Sequence, residues 1–370
     1  MAEPRSFLDV DLGAVRYNIN SIISAVPGHR LLTVVKANAY GVGVKAVSTA
    51  ASECGCYGFG VATCQEALQL RSFGETKPIY MLSGFFDDEL EEAVLNEITL
   101  PVTSVEAAKR ISAVALKLKK VAEVNLVIDS GMGRVGLLPV TAASQIAEIS
   151  ALPMLKVVGL YSHFSSAGEQ GDEYTLEQLK LLKAFLAETP LPAGCRDIHF
   201  AAFDGINNYP ESVTDPFTMA RCGIGMYGMA EANTLNIPLK PALRFSAKVA
   251  EVRELPAGSC VGYMHTVKLS KKSRIAVVAA GYADGLPLGE SNRGRFLING
   301  VSCPVIGRIS MDYTTCDLGD APCKAGDSAV IFGSDGNSFI SVSEVAGLRN
   351  SHDYDVLCSV GPRTGRRYIG

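Results

Sequence analysis

A chain of 370 residues is too long for one ordinary core, so two domains are the expectation. Apolar residues make up 48% and charged residues 19%, which excludes a disordered chain. The net charge of −4, without a basic stripe, argues against a nucleic-acid partner. The densest basic runs, Lys117-Leu118-Lys119-Lys120 and Lys271-Lys272-Ser273-Arg274, read as solvated faces.

Residues Met1 to Val10 carry Glu3, Arg5 and Asp9 and lack the apolar stretch of a signal peptide. Short apolar strands then alternate with amphipathic stretches. Leu31–Val35 is followed by a helical pattern near Gly43–Cys54. Tyr57–Ala62 precedes Thr63–Phe73, where Thr63 and Glu66 form a capping box. Ile79–Leu82 precedes Asp87–Leu95, and Ile98–Val102 precedes Ser104–Lys120, with Ser104 as the cap. Val121–Ile128, Leu155–His163 and Asp197–Ala202 read as further strands, and Tyr174–Glu188 as a long helix. About eight such units fit a (β/α)8 barrel of the TIM type better than an open sheet. Beyond Asn236 long helical patterns vanish. Ala247–Arg253, Gly262–Leu269, Ile275–Ala280, Phe296–Ile298 and Ala329–Phe332 are strand-like runs between Gly and Pro. The expected organisation is an α/β barrel over 10–234, joined near Thr234–Pro238 to a mainly β domain over 235–370. Residues 1–9 are expected to pack on that second domain, with Ser6–Val10 as a strand.

No segment has the apolar length of a transmembrane helix, so no membrane partner is expected. The ten cysteines are scattered, with Cys54 and Cys56 the only close pair. Reduced thiols in a cytoplasmic protein and no metal site are the expectation.

Lys36 closes the run Leu31-Leu32-Thr33-Val34-Val35, after which the chain breaks into Ala37-Asn38-Ala39-Tyr40-Gly41. A charge closing a buried strand is costly unless it is paired or neutralised. One solution is a Schiff base with an aldehyde cofactor; the other is a lysine that snorkels to solvent. In barrel enzymes the chemistry comes from the C-terminal ends of strands. Three such ends here are Asp129-Ser130-Gly131-Met132-Gly133-Arg134, Leu160-Tyr161-Ser162-His163 and Ala220-Arg221-Cys222-Gly223-Ile224. Each also has a plain reading, as a glycine turn with a solvated arginine, a structural histidine, or a loop.

Val35-Lys36-Ala37-Asn38-Ala39-Tyr40-Gly41 resembles the cofactor-lysine signature of the alanine racemase family, fold-type III enzymes that use pyridoxal 5′-phosphate. The resemblance recurs in order along nearly the whole chain: Asp129–Gly136, Leu160–Phe164, Ala220–Gly228, Val261–Thr266, Gly281–Gly285, Gly307–Asp312 and Tyr354–Val356. It implies a Schiff base at Lys36 and cofactor-phosphate contacts from Tyr40, Tyr354 and the backbone of Gly223 and Ile224. It implies His163 under the cofactor ring and Arg221 against its nitrogen. Arg134 is implied beside the cofactor oxygen and the substrate carboxylate, with Tyr282 lining the entry and Met311 and Asp312 reaching a neighbouring site. It implies two bases, Lys36 and Tyr263, the latter supplied by the partner subunit of a homodimer. A phenol is a poor base at its reference pKa of about 10, so Tyr263 needs tuning by its neighbours. The implied activity is interconversion of L- and D-alanine, with serine as a second substrate, supplying D-amino acids for peptidoglycan.

Four departures stand out. Many family members carry a carbamylated lysine where this chain has Val127, so another feature must orient Arg134. The family's Asn-Ser phosphate contact reads Ala202-Phe203. The neighbouring Asn208-Tyr209-Pro210-Glu211 instead resembles vancomycin-resistance serine/alanine racemase domains. The histidine of the family's Ala-Tyr-Gly-His is Val42. A serine racemase of that type is the first alternative. A fold-type III decarboxylase is the second, disfavoured because an arginine, not a carboxylate, stands at position 221. A pyridoxal-phosphate carrier protein is disfavoured by the second domain.

Overall fold

The computed structural model describes residues 3–231 and 234–370. Two compact units divide the chain. One comprises Val15–Ala39 and Val44–Lys240, and the other comprises the N-terminal residues through Ala14, Tyr40–Gly43 and Pro241–Gly370.

The first unit is a closed barrel of eight parallel strands: β2 (Arg30–Val34), β3 (Gly58–Val61), β4 (Ile79–Met81), β5 (Ile98–Val102), β6 (Ala122–Val127), β7 (Leu155–Tyr161), β8 (Asp197–His199) and β9 (Met219–Cys222). The ring closes through β2 and β9, which pair from Arg30 with Met219 to Thr33 with Cys222. These strands are near-continuous buried runs because both faces are covered. Helices on the outside follow the expected pattern. The helix Val105–Leu118 buries Val105, Ala108, Ile111 and Ala115 on one stripe, capped by the Ser104 hydroxyl. Thr63 and Glu66 make the reciprocal capping box. Leu32, Tyr80 and Met219 pack together as one fully buried cluster. Towards the strand N-termini, the fully buried Asp197 carboxylate pairs with Arg30 at 2.7 Å and accepts the Tyr80 hydroxyl at 2.6 Å. This buried charge serves stability, since barrel chemistry sits at the opposite face.

The second unit is mainly β. Strand β1 (Ser6–Asp11) pairs antiparallel with β10 (Leu243–Leu255) and parallel with β19 (Gly365–Ile369). The N-terminal strand therefore belongs to this sheet, where β10 also pairs with β13 (Ser273–Val278) and β17 (Ser328–Asp335). Further strands are β11 (Cys260–Val261), β12 (Val267–Lys268), β14 (Arg295–Ile298), β15 (Val301–Pro304), β16 (Thr314–Asp317) and β18 (Ser338–Ile340). The expected strand Gly262–Leu269 is not one. Only β11 and β12 pair, and a 3-10 turn, Tyr263–His265, lies between them. The reason is local: Gly262 lies at φ 72° and Met264 and His265 at φ 63° and 53°, left-handed backbone that no strand can hold.

Candidate active site

Lys36 stands two residues beyond the end of β2, at the C-terminal face of the barrel. It is exposed, so the expected burial penalty is absent. The next residues form a left-handed turn, with Ala37, Asn38, Ala39 and Tyr40 at φ 52–59°. Each L-residue in that conformation costs about 1–2 kcal/mol, so four together cost about 4–8 kcal/mol. Bonds from the surroundings hold the turn. Ala37 N–H donates to Glu66 Oε1 at 2.6 Å, Val44 N–H to Asn38 Oδ1 at 2.9 Å, and the Tyr227 hydroxyl to the Ala39 carbonyl at 2.7 Å. Glu66 thus serves both its own helix cap and the segment behind Lys36. Neither that role nor the turn is written in a propensity scale.

Arg221, buried at the end of β9, donates to two imidazoles and to backbone carbonyls, with four bonds of 3.2 Å or less. These are His199 Nδ1 at 2.7 Å, His163 Nδ1 at 3.2 Å, and the carbonyls of Phe200 at 2.7 Å and Ser162 at 3.0 Å. A guanidinium can only donate, so both histidines accept through Nδ1 and carry their proton on Nε2. Burial, then the charges of Arg221, Arg134 and Lys36, pushes His163 down to about 3. Burial and then Arg221 hold His199 well below its ordinary range. The His199 ring stacks on Tyr161 at 5.0 Å. Cys222 is fully buried and its thiol is pushed up to about 12 by burial.

The loop after β6 answers what shapes the Arg134 segment without a lysine at Val127, which is buried. Asp129 Oδ1 accepts from both Gly131 and Gly133 N–H at 3.0 Å, and Tyr174 donates to the Gly131 carbonyl at 2.8 Å. Ser130 and Ser162 hydroxyls meet at 2.7 Å and tie this loop to the end of β7. Arg134 is exposed, and no carboxylate pairs with it among the described residues. Asp129, Leu82, Tyr161, His163 and Arg134 line one small pocket.

Ile224 begins a 3-10 turn after Gly223, so its leading N–H groups have no intrahelical acceptor. Phe203, at the family's serine position, is fully buried. A Cβ on Gly225 would meet the Phe203 ring at 2.4 Å, so the aromatic fills the space against that glycine. Asn208 and the Tyr209 hydroxyl are spent on the carbonyls of Ala167, Gly168 and Glu169.

In the second unit, the Tyr40 and Tyr354 rings meet edge-on at 5.5 Å. Tyr40–Gly43 is built into this unit: Arg366 donates to the Gly41 carbonyl at 3.1 Å, and the Tyr368 hydroxyl to that of Val42 at 3.1 Å. Tyr263 stands on the 3-10 turn, 68% exposed, with Tyr282, Met311 and Asp312 also at the surface. Tyr282 and Ala283 N–H groups donate to the Ser310 and Met311 carbonyls, which joins two of the sequence-predicted segments. Among the described residues no group of three or more His, Cys, Asp or Glu is placed to hold a metal ion.

Residues 10–231 match the family model for the alanine racemase N-terminal domain, and residues 242–368 match that for the C-terminal domain. The chain belongs to the alanine racemase family. An alanine racemase of Symbiobacterium thermophilum is 36% identical over 99% of this chain and 97% of its own length. One of Syntrophobacter fumaroxidans is 34% identical over 96% of this chain and 95% of its own. The crystal structure of alanine racemase from D-cycloserine-producing Streptomyces lavendulae superposes with a TM-score of 0.92 at 31% identity, covering 100% of this chain and 98% of that one. The alanine racemase of Bartonella henselae, solved with covalently bound pyridoxal phosphate, gives 0.89 at 28% identity, covering 99% of this chain and 100% of that one. Membership makes the chain an enzyme of the racemase class, and the barrel with its mainly β companion is the family's fold.

Proposed function

We propose that this enzyme interconverts L- and D-alanine with pyridoxal 5′-phosphate and two bases. Lys36 serves one face of the substrate α-carbon and the partner subunit's Tyr263 the other. The observation that carries the reading is Arg221, a buried cation that donates to neutral imidazoles and carbonyls. The residues suit the cofactor: an exposed strand-end lysine, a neutral histidine ring, leading N–H groups at Ile224, and the Tyr40–Tyr354 pair for the phosphate. Bound there, the cofactor supplies the electron sink that makes the α-proton removable.

The chain's own groups define the rest. Arg221 cannot accept a proton at ordinary pH, so it leaves the cofactor nitrogen unprotonated. That weakens delocalisation and favours a direct proton swap over transamination. His163, neutral with its pKa at about 3, moves no proton near neutrality and acts as a flat support. Lys36 Nζ and Tyr263 Oη exchange protons with the α-carbon, and Arg134 holds the substrate carboxylate. Tyr282 narrows the entry, and Met311 and Asp312 serve the neighbouring site. Exposed Tyr263, Met264, Leu288, Met311 and Tyr313 offer apolar surface suited to a self-complementary homodimer. All ten cysteines are free, which suits the cytoplasm, where the D-alanine would enter peptidoglycan.

A chiral assay tests the reading. L-alanine with the cofactor-loaded enzyme should approach a racemic mixture without release of carbon dioxide. Gas release, or loss of L-alanine without D-alanine, would contradict it. Serine is the second substrate. A single pocket contact separates such substrates by only about 10–200-fold, so D-serine should form within that margin unless the Tyr354 phenol excludes it.

A further inference from the structure

An ion pair between the buried Asp284 and the half-exposed Arg363 ties together three segments of the second unit. Asp284 is 3% exposed, and its carboxylate accepts from Arg363 Nε at 2.9 Å, Arg363 Nη2 at 2.8 Å and Gly281 N–H at 2.9 Å. The Ser6 hydroxyl adds a longer contact at 3.3 Å. The Arg363 fork does not stop at Asp284. Nη1 donates to Asp312 Oδ1 at 2.8 Å and Nη2 to the Met311 carbonyl at 3.2 Å. The Gly361 N–H returns to the Asp284 carbonyl at 3.0 Å, closing the third segment onto the first. Three stretches of chain, 281–284, 310–313 and 361–364, thus meet at one guanidinium. Their side chains are presented, not packed: Tyr282 is 45% and Met311 51% exposed. An ion pair serving only the core would gain nothing by reaching out to a half-exposed carboxylate at Asp312.

We propose that Arg363, locked by Asp284, is a positioning residue that fixes Tyr282 and the Met311–Asp312 segment for substrate capture in the neighbouring site. The inference rests on the reading that these segments meet substrate. The planar fork is what allows it, because one side chain must satisfy a bidentate partner and two further acceptors in fixed directions. Lysine supplies the charge but not that geometry. A cavity of about 370 Å³ lined by Arg5, Ser6, Asp284, Asp312 and Arg363 opens beside the fork. It gives a small cation a route to the place that a truncated side chain would vacate.

The test uses the cofactor-loaded dimer with Arg363→Ala and Arg363→Lys. The alanine variant should raise KM for alanine by about tenfold or more, with a smaller fall in kcat, as expected for lost ground-state capture. The cofactor absorbance should stay unchanged, because no barrel residue is touched. Amide exchange should quicken in peptides covering 281–284 and 310–313 and not in β10 or β13. Millimolar guanidinium should reverse both the KM shift and the exchange in Arg363→Ala and leave wild type unaffected. Arg363→Lys should fall between the two. A folded Arg363→Ala dimer with wild-type KM and exchange would overturn the proposal. So would failure of both variants to fold, which would make the pair a folding element. Tyr263→Phe separates the proposal from the reading beneath it. If that variant is inactive while Arg363→Ala is normal, the clamp alone fails. If Tyr263→Phe racemises like wild type, the assignment of these segments to the active site fails.

Discussion

At the scale of single residues, the site divides into groups that hold a charge and groups kept neutral for it. Arg221 donates to His163, His199 and the carbonyls of Ser162, Phe200 and His199, and burial first, then this guanidinium, keeps both histidines neutral. This has a pH signature. The folded-state pKa of His163 lies at about 3, below the ordinary value of 6.5. Below about 6.5 the unfolded chain binds a proton that the folded chain refuses, so stability falls as pH drops from there towards 3. Urea midpoints measured across that range should decline less steeply in His163→Gln than in wild type; equal slopes would place the acid sensitivity elsewhere. If Lys36 is both cofactor anchor and base, as proposed, Lys36→Ala should lower racemisation by roughly a thousandfold or more, as for loss of a covalent catalytic group. Retained wild-type turnover in a chiral assay would refute its role. Activity should also be indifferent to added bicarbonate, because Val127 cannot be carbamylated; a strong requirement would implicate another lysine. Lys36 and Arg221 were legible in the sequence because they close apolar strands within recognisable motifs. The Glu66 bond to Ala37 and the acceptors of Arg221 were not, since those partners lie one helix or one strand away in space, and the Asp129 bonds to Gly131 and Gly133 depend on a loop conformation that no sequence period encodes.

At the scale of elements, strands and caps were legible and backbone strain was not. The Thr63–Glu66 capping box and the Ser104 cap stand as the sequence implies, because caps are set by spacing along one segment. The left-handed turn Ala37–Tyr40 contains no glycine, so no local preference announces it; bonds from Glu66 and Tyr227 impose it. The same holds for Tyr263–His265, where a strand-like composition takes a tight turn because Gly262 and its neighbours are held at positive φ. Ala37 is exposed at φ 52°, so Ala37→Gly removes strain and little packing. Relief of about 1–2 kcal/mol, less about 0.4–1 for the freer unfolded chain, leaves a stabilisation of about 0–1.6 kcal/mol, about 0.8 at the midpoints. Chemical denaturation should show it as a higher midpoint at unchanged slope. A lower midpoint would mean that the turn is not under strain.

At the scale of the whole molecule, the division into a barrel and a mainly β unit was legible because the texture changes after Asn236, from helical periods to short β runs. The loan of Tyr40–Gly43 to the second unit was not, since it depends on Arg366 and Tyr368 at the far end of the chain. The proposed chemistry is divided along the same lines. Lys36, His163 and Arg221 belong to the barrel unit, whereas Tyr263, Tyr282, Met311 and Asp312 belong to the other. If the second base comes from the partner, no single chain holds a complete site. The measurement that tests this most directly is complementation between two inactive variants. Lys36→Ala and Tyr263→Ala homodimers should each be nearly inactive. Refolded together with different tags and purified as heterodimers, they hold one site with both bases and one with neither. Racemisation at about half the wild-type rate per heterodimer is the predicted result, since a two-fold dimer has two equivalent sites. Heterodimers that form, bind the cofactor and remain inactive would contradict the account.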